Sequence, residues 1–157
     1  MLSPESLKQI DREVAKYPPQ YKQSAVMAAL RIAQVEMGWL APETIEAVAN
    51  YLEIPAIAAW EVATFYNMYD LKPVGKYKLS VCTNLPCTLM GAESAVEYIQ
   101  RKLGIGFNET TPDGKFTLKM SECMGSCGAG PLLTINNHKM KVQLTPEVID
   151  EILAGLE

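Results

Sequence analysis

The amino-acid sequence predicts an α+β protein in which an N-terminal helical bundle is followed by an α/β domain. Before residue 72, apolar residues recur at the three- and four-residue spacing of helices, and prolines and glycines interrupt them. After Pro73, short apolar runs of strand length alternate with helical segments and turn residues. We therefore place the two domains at residues 1–72 and 73–157.

Four helices are predicted in the first domain. Ser3 followed by Pro4 is typical of a helix start, because serine caps the first turn and proline is tolerated at the first helical position. Gly38 is typical of a helix end, because glycine readily adopts the left-handed conformation that closes a helix. The four helices are expected at about residues 4–17, 24–37, 42–52 and 55–69.

The fourth predicted helix is apolar around almost its whole circumference. Its polar members, Glu61, Thr64 and Asn67, recur every three residues and so form one narrow strip. A helix of this kind is usually buried on several sides. It therefore either forms the centre of the helical bundle or docks in part on another subunit.

The second domain is predicted to contain a sheet covered by helices. Strands are expected at about residues 77–81, 116–121, 131–135 and 139–144, and helices at about residues 92–103 and from residue 146 onward. The last two strands form a hairpin around Asn136 and Asn137, and Thr145 caps the final helix. The order β-α-β-β-β-α resembles a shortened thioredoxin-like layer, in which functional residues lie on the loops.

Four cysteines form two close pairs, and each pair follows a predicted strand. Four residues separate Cys82 from Cys87, and three separate Cys123 from Cys127. This pattern places four thiols on two loops. They are the only residues in the sequence that could hold a cofactor as a complete set.

The cysteine spacings favour a [2Fe-2S] cluster over a single zinc ion. Structural zinc is most often bound by cysteines two residues apart, whereas each iron of a two-iron cluster takes two thiolates and tolerates wider loops. A Rieske centre would require two histidines, and the chain has only His138. A structural zinc site, a pair of disulfides and four unrelated thiols remain alternatives.

Composition narrows the possible function classes. The first residues lack the basic and apolar regions of a secretory signal, so we expect reduced thiols rather than disulfides. The formal net charge of -4 argues against nucleic-acid binding, which usually requires a clustered basic face. No apolar run approaches the roughly 18 residues that span a bilayer, so we expect no direct membrane insertion.

Residues around the second cysteine pair could tune such a cluster. Gly125, Gly128 and Gly130 have no side chain that would keep backbone N–H groups away from sulfur. The apolar side chains that would exclude water from the site are Leu85, Met90, Met124 and Leu132. Both effects influence the reduction potential of an iron-sulfur cluster.

Two segments outside the cysteine loops carry a resemblance to a known family. Residues 36–40, with the sequence EMGWL, and residues 61–66, with the sequence EVATFY, are similar to motifs of that family. Together with the cysteine spacing, they resemble the NuoE-type, thioredoxin-like [2Fe-2S] ferredoxin subunit of NADH:quinone oxidoreductase, which is respiratory complex I. The resemblance covers nearly the whole chain. Gly130 is a departure, because the family more often has alanine before this proline.

The resemblance implies that Cys82, Cys87, Cys123 and Cys127 bind one [2Fe-2S] cluster. It implies an oxidoreductase complex in which this chain is an electron carrier that exchanges one electron with FMN on a partner. That partner is a NuoF-type flavoprotein subunit that binds FMN and NADH and carries a [4Fe-4S] cluster, within the peripheral arm of complex I. The expected location is cytoplasmic and peripheral to the inner membrane, or the mitochondrial matrix side in a eukaryote.

Other host complexes remain open at the level of sequence. Similar subunits serve NAD-dependent formate dehydrogenases and NAD-reducing hydrogenases, which share the same cluster and docking chemistry. An interaction module with a structural zinc ion is the alternative from a different class of function.

Overall fold

The computed structural model describes residues 2–156, and the chain divides into two compact units, Met1–Pro73 and Val74–Glu157. Met1 and Glu157, the outer limits of the predicted domains, lie outside the described residues. The predicted α+β class is confirmed, because the first unit is helical and the second contains a mixed sheet with helices. Within residues 2–156, no helix has both the length and the apolar character needed to cross a bilayer.

The first unit contains four α-helices, and the predicted caps at Ser3 and Gly38 are confirmed. The side chain of Ser3 accepts a hydrogen bond from the Ser6 backbone N–H, and Gly38 closes the second helix at φ 81°. A 3-10 segment, Pro19–Ala25, precedes the second helix, so that this helix begins two residues later than predicted. The helices are α1 (Pro4–Val14), α2 (Val26–Met37), α3 (Pro42–Leu52) and α4 (Ala56–Phe65).

Helix α4 ends at Phe65, and the predicted extension to Tyr69 is wrong. The side chain of Gln34 donates a hydrogen bond to the Met68 carbonyl oxygen (3.0 Å) and accepts one from the Asp70 N–H (2.7 Å). These bonds from α2 hold the backbone after α4 in a non-helical path. A tertiary interaction therefore overrides the local apolar pattern.

Only one side of α4 packs into the core of the first unit. Ala58, Ala59 and Ala63 are buried, whereas the side chains of Ile57 and Phe65 are 65% and 79% exposed. Helix α4 is therefore not the centre of the helical bundle, and the alternative, that part of it docks on another subunit, stays a prediction. Large apolar side chains on the other three helices fill the centre of the unit, among them Ile10, Leu30, Ile45, Val48 and Leu52.

The second unit is built on a five-stranded mixed sheet. Its strand order is β2-β3-β1-β4-β5, in which β1 and β3 pair in parallel and all other neighbours are antiparallel. The strands are β1 (Tyr77–Cys82), β2 (Glu109–Thr110), β3 (Phe116–Ser121), β4 (Leu133–Ile135) and β5 (Lys139–Lys141). The helices are α5 (Leu85–Leu89), α6 (Ala92–Leu103) and α7 (Pro146–Ala154).

The core of the second unit lies between the sheet and helices α6 and α7. The central strands contribute Leu79, Val81 and Leu118, and the two helices contribute Ile99 and Ile149, all of which are almost fully buried. At about 25 cal/mol per Å² of apolar area removed from water, such contacts supply the main stabilisation of the unit.

Several elements of the second unit differ from the predicted ones. The predicted hairpin is confirmed, because β4 and β5 pair antiparallel around Asn136 and Asn137, whose positive φ angles (50° and 61°) turn the chain back on itself. Its arms are shorter than predicted, since pairing stops at Lys141 and begins at Leu133, beyond Pro131. Strand β2 and helix α5 have two and five residues, which is too short for a periodic sequence signal.

Candidate metal centre

Parallel pairing of β1 and β3 brings the two cysteine loops to the same edge of the sheet. In this register Cys82, the last residue of β1, is opposite Ser121, the last residue of β3. The N–H of Thr83 donates to the Ser121 carbonyl oxygen at 3.2 Å, which continues the contact beyond the strands. Cys123 therefore leaves β3 beside the loop that begins at Cys82.

The first cysteine pair lies on regular secondary structure and is buried. Cys82 ends β1, where its N–H donates to the Leu132 carbonyl oxygen at 3.0 Å, and Cys87 lies in α5. Both cysteines are only 1% exposed and pack with Ala92 and Leu132, while half-buried Met124 from the second loop covers the group. Close packing of this kind fixes the positions of both thiols.

The second cysteine pair lies in an irregular loop after β3. Cys123 is exposed and Cys127 is half-buried, and their Sγ atoms are 3.5 Å apart. The N–H of Gly125 donates to Cys123 Sγ at 3.4 Å. Gly125 has a φ of 78°, a conformation that residues with a side chain rarely adopt, so the glycine permits this contact.

A side-chain hydrogen bond joins the two loops. Asn84 Nδ2 donates to Glu122 Oε2 at 2.6 Å, so that a residue two positions after Cys82 is tied to the residue immediately before Cys123. Sequence reasoning did not identify this pair, because the two residues lie 38 positions apart and only the parallel strand pairing brings them together.

The four thiols influence one another electrostatically. Burial first, and then hydrogen bonding to Cys82 and the charges of the other three cysteines, raise the pKa of Cys87 to about 11. The Gly125 N–H lowers the pKa of Cys123, whereas the hydrogen bond with Cys123 raises the pKa of Cys127. Four thiolates this close repel one another, so a bound cation is needed to hold all four ionised.

The donor set suits a centre with more than one metal atom. Four sulfur ligands are typical of iron-sulfur clusters, in which each iron takes two thiolates. Within residues 2–156, no three side chains of His, Cys, Asp or Glu are grouped closely enough to bind one metal ion. His138 follows β4 and lies at the opposite edge of the sheet, because β4 runs antiparallel to β1. The residues present therefore fit a two-iron cluster.

The predicted tuning residues have different outcomes. Gly125 does bring an N–H group to sulfur, as expected, but the N–H of Gly130 donates to the Cys127 carbonyl oxygen instead. Leu132 is buried and Met124 is half-buried beside the first pair, so both exclude water there. The same prediction is wrong for Leu85 and Met90, whose side chains are 70% and 45% exposed. The assignment of the four cysteines as ligands stays a prediction.

Comparison with known proteins gives a consistent family pattern. The family model described as thioredoxin-like [2Fe-2S] ferredoxin matches residues 10–157. The NADH-quinone oxidoreductase E-type subunit of Rickettsia felis is 45% identical over 141 residues, which cover 89% of this chain and 84% of that protein. NADH-quinone oxidoreductase subunit 2 of Thermus thermophilus is 40% identical over 147 residues, which cover 94% of this chain and 81% of that protein.

Among solved structures, this chain is similar in fold to part of an NAD+-reducing [NiFe]-hydrogenase in its air-oxidised state. The TM-score is 0.68 with 16% sequence identity, and the match covers 81% of this chain and 22% of the hydrogenase chain. At this level of identity the similarity concerns the fold alone.

Proposed function

Because the chain belongs to the thioredoxin-like [2Fe-2S] ferredoxin family and is a subunit of the NADH-quinone oxidoreductase type, we propose that it exchanges single electrons with the FMN of a partner flavoprotein. The proposed ligands of its [2Fe-2S] cluster are Cys82, Cys87, Cys123 and Cys127. The observation that supports this proposal most directly is the convergence of two cysteine loops at one edge of the sheet.

The chain itself would position and partly shield the cluster. A bound [2Fe-2S] cluster supplies a one-electron redox centre. Cys82 and Cys87 hold their sulfurs in a packed interior, whereas Cys123 holds its sulfur at the protein surface. Electron exchange with a partner is therefore expected through the side of the second cysteine loop.

Exposed apolar side chains around the cysteine loops support a protein partner. Leu85 and Leu89 of α5 are 70% and 79% exposed, and Met120 at the end of β3 is 56% exposed. Exposed apolar groups of this size next to a functional site are typical of interaction surfaces. In the helical unit, Ile57 and Phe65 are further exposed apolar residues of this kind.

The proposed partner is the flavoprotein that binds FMN and NADH and carries a [4Fe-4S] cluster. NADH delivers two electrons together as hydride, whereas a [2Fe-2S] cluster accepts one, so a flavin is the natural link between them. Within such a complex, we propose a cytoplasmic position peripheral to the inner membrane, or the matrix side in a eukaryote.

Iron and sulfide analysis tests the cluster assignment. The chain, purified anaerobically, is expected to contain about two irons and two acid-labile sulfides and to give an S = 1/2 paramagnetic signal after dithionite reduction. One zinc ion without sulfide would contradict the proposal and would indicate a structural metal site.

Reduction by NADH tests the proposed partner. In the complex with its FMN-containing partner, freeze-quenched samples are expected to show the paramagnetic signal within the turnover time after NADH addition. The isolated chain with NADH is the control and should remain oxidised. A complex in which dithionite but not NADH reduces the cluster would contradict electron exchange with FMN.

A further inference from the structure

A cleft of about 400 Å³ opens in the second unit close to the buried cysteine pair. It lies between α6, the loop around Gly130 and the start of α7, and its apolar floor includes Ala95 and Ile149. Met90 and Gly130 form the end of the cleft nearest Cys87, which does not itself line the cleft. These two residues therefore separate the cleft from the Cys87 sulfur.

Close contact with neighbouring side chains, rather than backbone conformation, explains why residue 130 is a glycine. Its φ and ψ angles of -66° and 169° are extended values that any residue can adopt. A Cβ atom at this position, however, would lie 3.2 Å from Cys87 Sγ and 3.4 Å from Met90 Sδ. Both distances are shorter than, or at the limit of, comfortable carbon-sulfur contact, so one of the neighbours would have to move.

The barrier between cleft and sulfur is therefore thin. One backbone segment without a side chain and one methionine that is 45% exposed cover Cys87 on this side. The cleft thus approaches the Cys87 sulfur to within a single residue. The packed group around the first cysteine pair also includes Ala92 and Leu132, with half-buried Met124 against it.

We propose that Gly130 is a positioning residue for Cys87, which lets the sulfur lie against the backbone and keeps the cleft close to it. This proposal rests on the proposed function, because its consequence is a property of the bound cluster. Reduction adds one negative charge to the cluster, and polar surroundings favour the more negative state. The thin barrier thus raises the reduction potential, and a methyl group at residue 130 lowers it.

Two alanine variants in the same loop provide the test. Gly130→Ala adds the methyl group beside Cys87, whereas Gly128→Ala is the matched control, since a Cβ atom at Gly128 meets no other atom within 4 Å. The measurement is a redox titration of the cluster in the intact, iron-loaded protein, followed by the paramagnetic signal of the reduced state. Iron and sulfide content establish first that each protein carries a cluster.

Gly130→Ala is expected to lower the equilibrium constant for reduction about three- to tenfold, which is about 30 to 60 mV for a one-electron couple. Gly128→Ala is expected to leave the potential unchanged. Removing the second half of the barrier, in Met90→Ala, should shift the potential in the opposite direction.

Two results would overturn the proposal and are distinguishable. If the unmodified protein carries a cluster and Gly130→Ala has the potential of Gly128→Ala, the positioning role is wrong and the proposed function stands. If the unmodified protein carries no iron and sulfide, the proposed function fails and the positioning role fails with it. If Gly130→Ala fails to load its cluster, Met90→Ala provides the test instead. An unchanged reduction potential in Met90→Ala would also overturn the proposal.

Discussion

The two cysteine pairs differ in how the protein holds them. Cys82 and Cys87 lie on a strand and a helix and are almost fully buried, whereas Cys123 and Cys127 lie on an irregular loop at the surface. Packing determines the positions of the first two sulfurs. The positions of the second two depend on a few local hydrogen bonds, among them the one from the Gly125 N–H.

We expect the two pairs to have different roles in one metal centre. In the proposed cluster site, the buried pair would fix the location of the cluster, because its thiols cannot move without disturbing the core. An exposed pair leaves one side of the centre open to a partner and to the delivery of metal.

Serine substitution should affect the two pairs unequally. Cys87→Ser is expected to lose the cluster almost completely, because a buried hydroxyl cannot reach the iron without displacing the packed helix α5 and has no water to bond with. Cys123→Ser is expected to retain a cluster with an altered spectrum, since its exposed loop can adjust. Iron and sulfide contents of both variants check the contrast, and equal losses would contradict it.

Truncation of the surrounding apolar residues should destabilise the first pair more than the second. Leu132 is 1% exposed beside Cys82 and Cys87, so Leu132→Ala is expected to cost about 2–5 kcal/mol of unfolding free energy. Met124 belongs to the second loop and is half-buried, and Met124→Ala is expected to cost about 1 kcal/mol. Urea denaturation of the second unit measures both values; similar costs would show that the second loop is as well packed as the first.

Alanine substitution of two glycines distinguishes the effect of backbone strain from the effect of the hydrogen bond to sulfur. Gly91 and Gly125 both have positive φ angles (97° and 78°), so each alanine variant is expected to cost about 1–2 kcal/mol through backbone strain. Only Gly125 donates an N–H to a cysteine sulfur, so only Gly125→Ala should also lower the reduction potential. Equal potentials in the two variants would assign no role to the Gly125 hydrogen bond.

Cys87 and Cys123 should give opposite pH dependences in the cluster-free chain. The pKa of Cys87 rises from 9.0 to about 11 on folding, so between these values the unfolded chain has released a proton that the folded chain retains. The unfolding free energy therefore falls as pH rises through this range, by at most about 1.4 kcal/mol per pH unit.

The folded pKa of Cys123 is lowered instead, so its contribution to stability increases as pH rises toward 9.0 and persists above it. Urea titrations between pH 7 and 10.5 on Cys87→Ala and Cys123→Ala check these signs. The alkaline decrease in stability should be smaller in Cys87→Ala than in Cys123→Ala, because Cys127, whose pKa is also raised, contributes to it in both variants. The reverse result would contradict the burial contrast.

The sequence predicted most of the secondary structure that positions this site. Helix α6 and strand β3 have the predicted bounds, because their apolar spacing and their flanking glycines and turns are unambiguous. The two cysteine loops were also expected directly after strands, as they are in β1 and β3. Local patterns thus account for which residues enter the loops.

Features that depend on distant residues could not be predicted in this way. The end of α4 follows from hydrogen bonds to Gln34, and the link between the loops follows from Asn84 and Glu122. The unequal burial of the cysteine pairs also has no local signal, since both follow apolar strands and both precede turn residues. It arises because α5, Ala92 and Leu132 cover only the first pair.

The parallel pairing of β1 and β3 has a consequence for maturation of the protein. A shift of one residue in the register from Tyr77–Phe116 to Cys82–Ser121 would move the second loop by about 3.3 Å and turn the buried face of β3 outward. Chains with such a slipped strand would present their sulfurs at the wrong separation for metal capture. We therefore expect that insertion of the proposed cluster would favour chains whose central strands have paired in the register of β1 and β3.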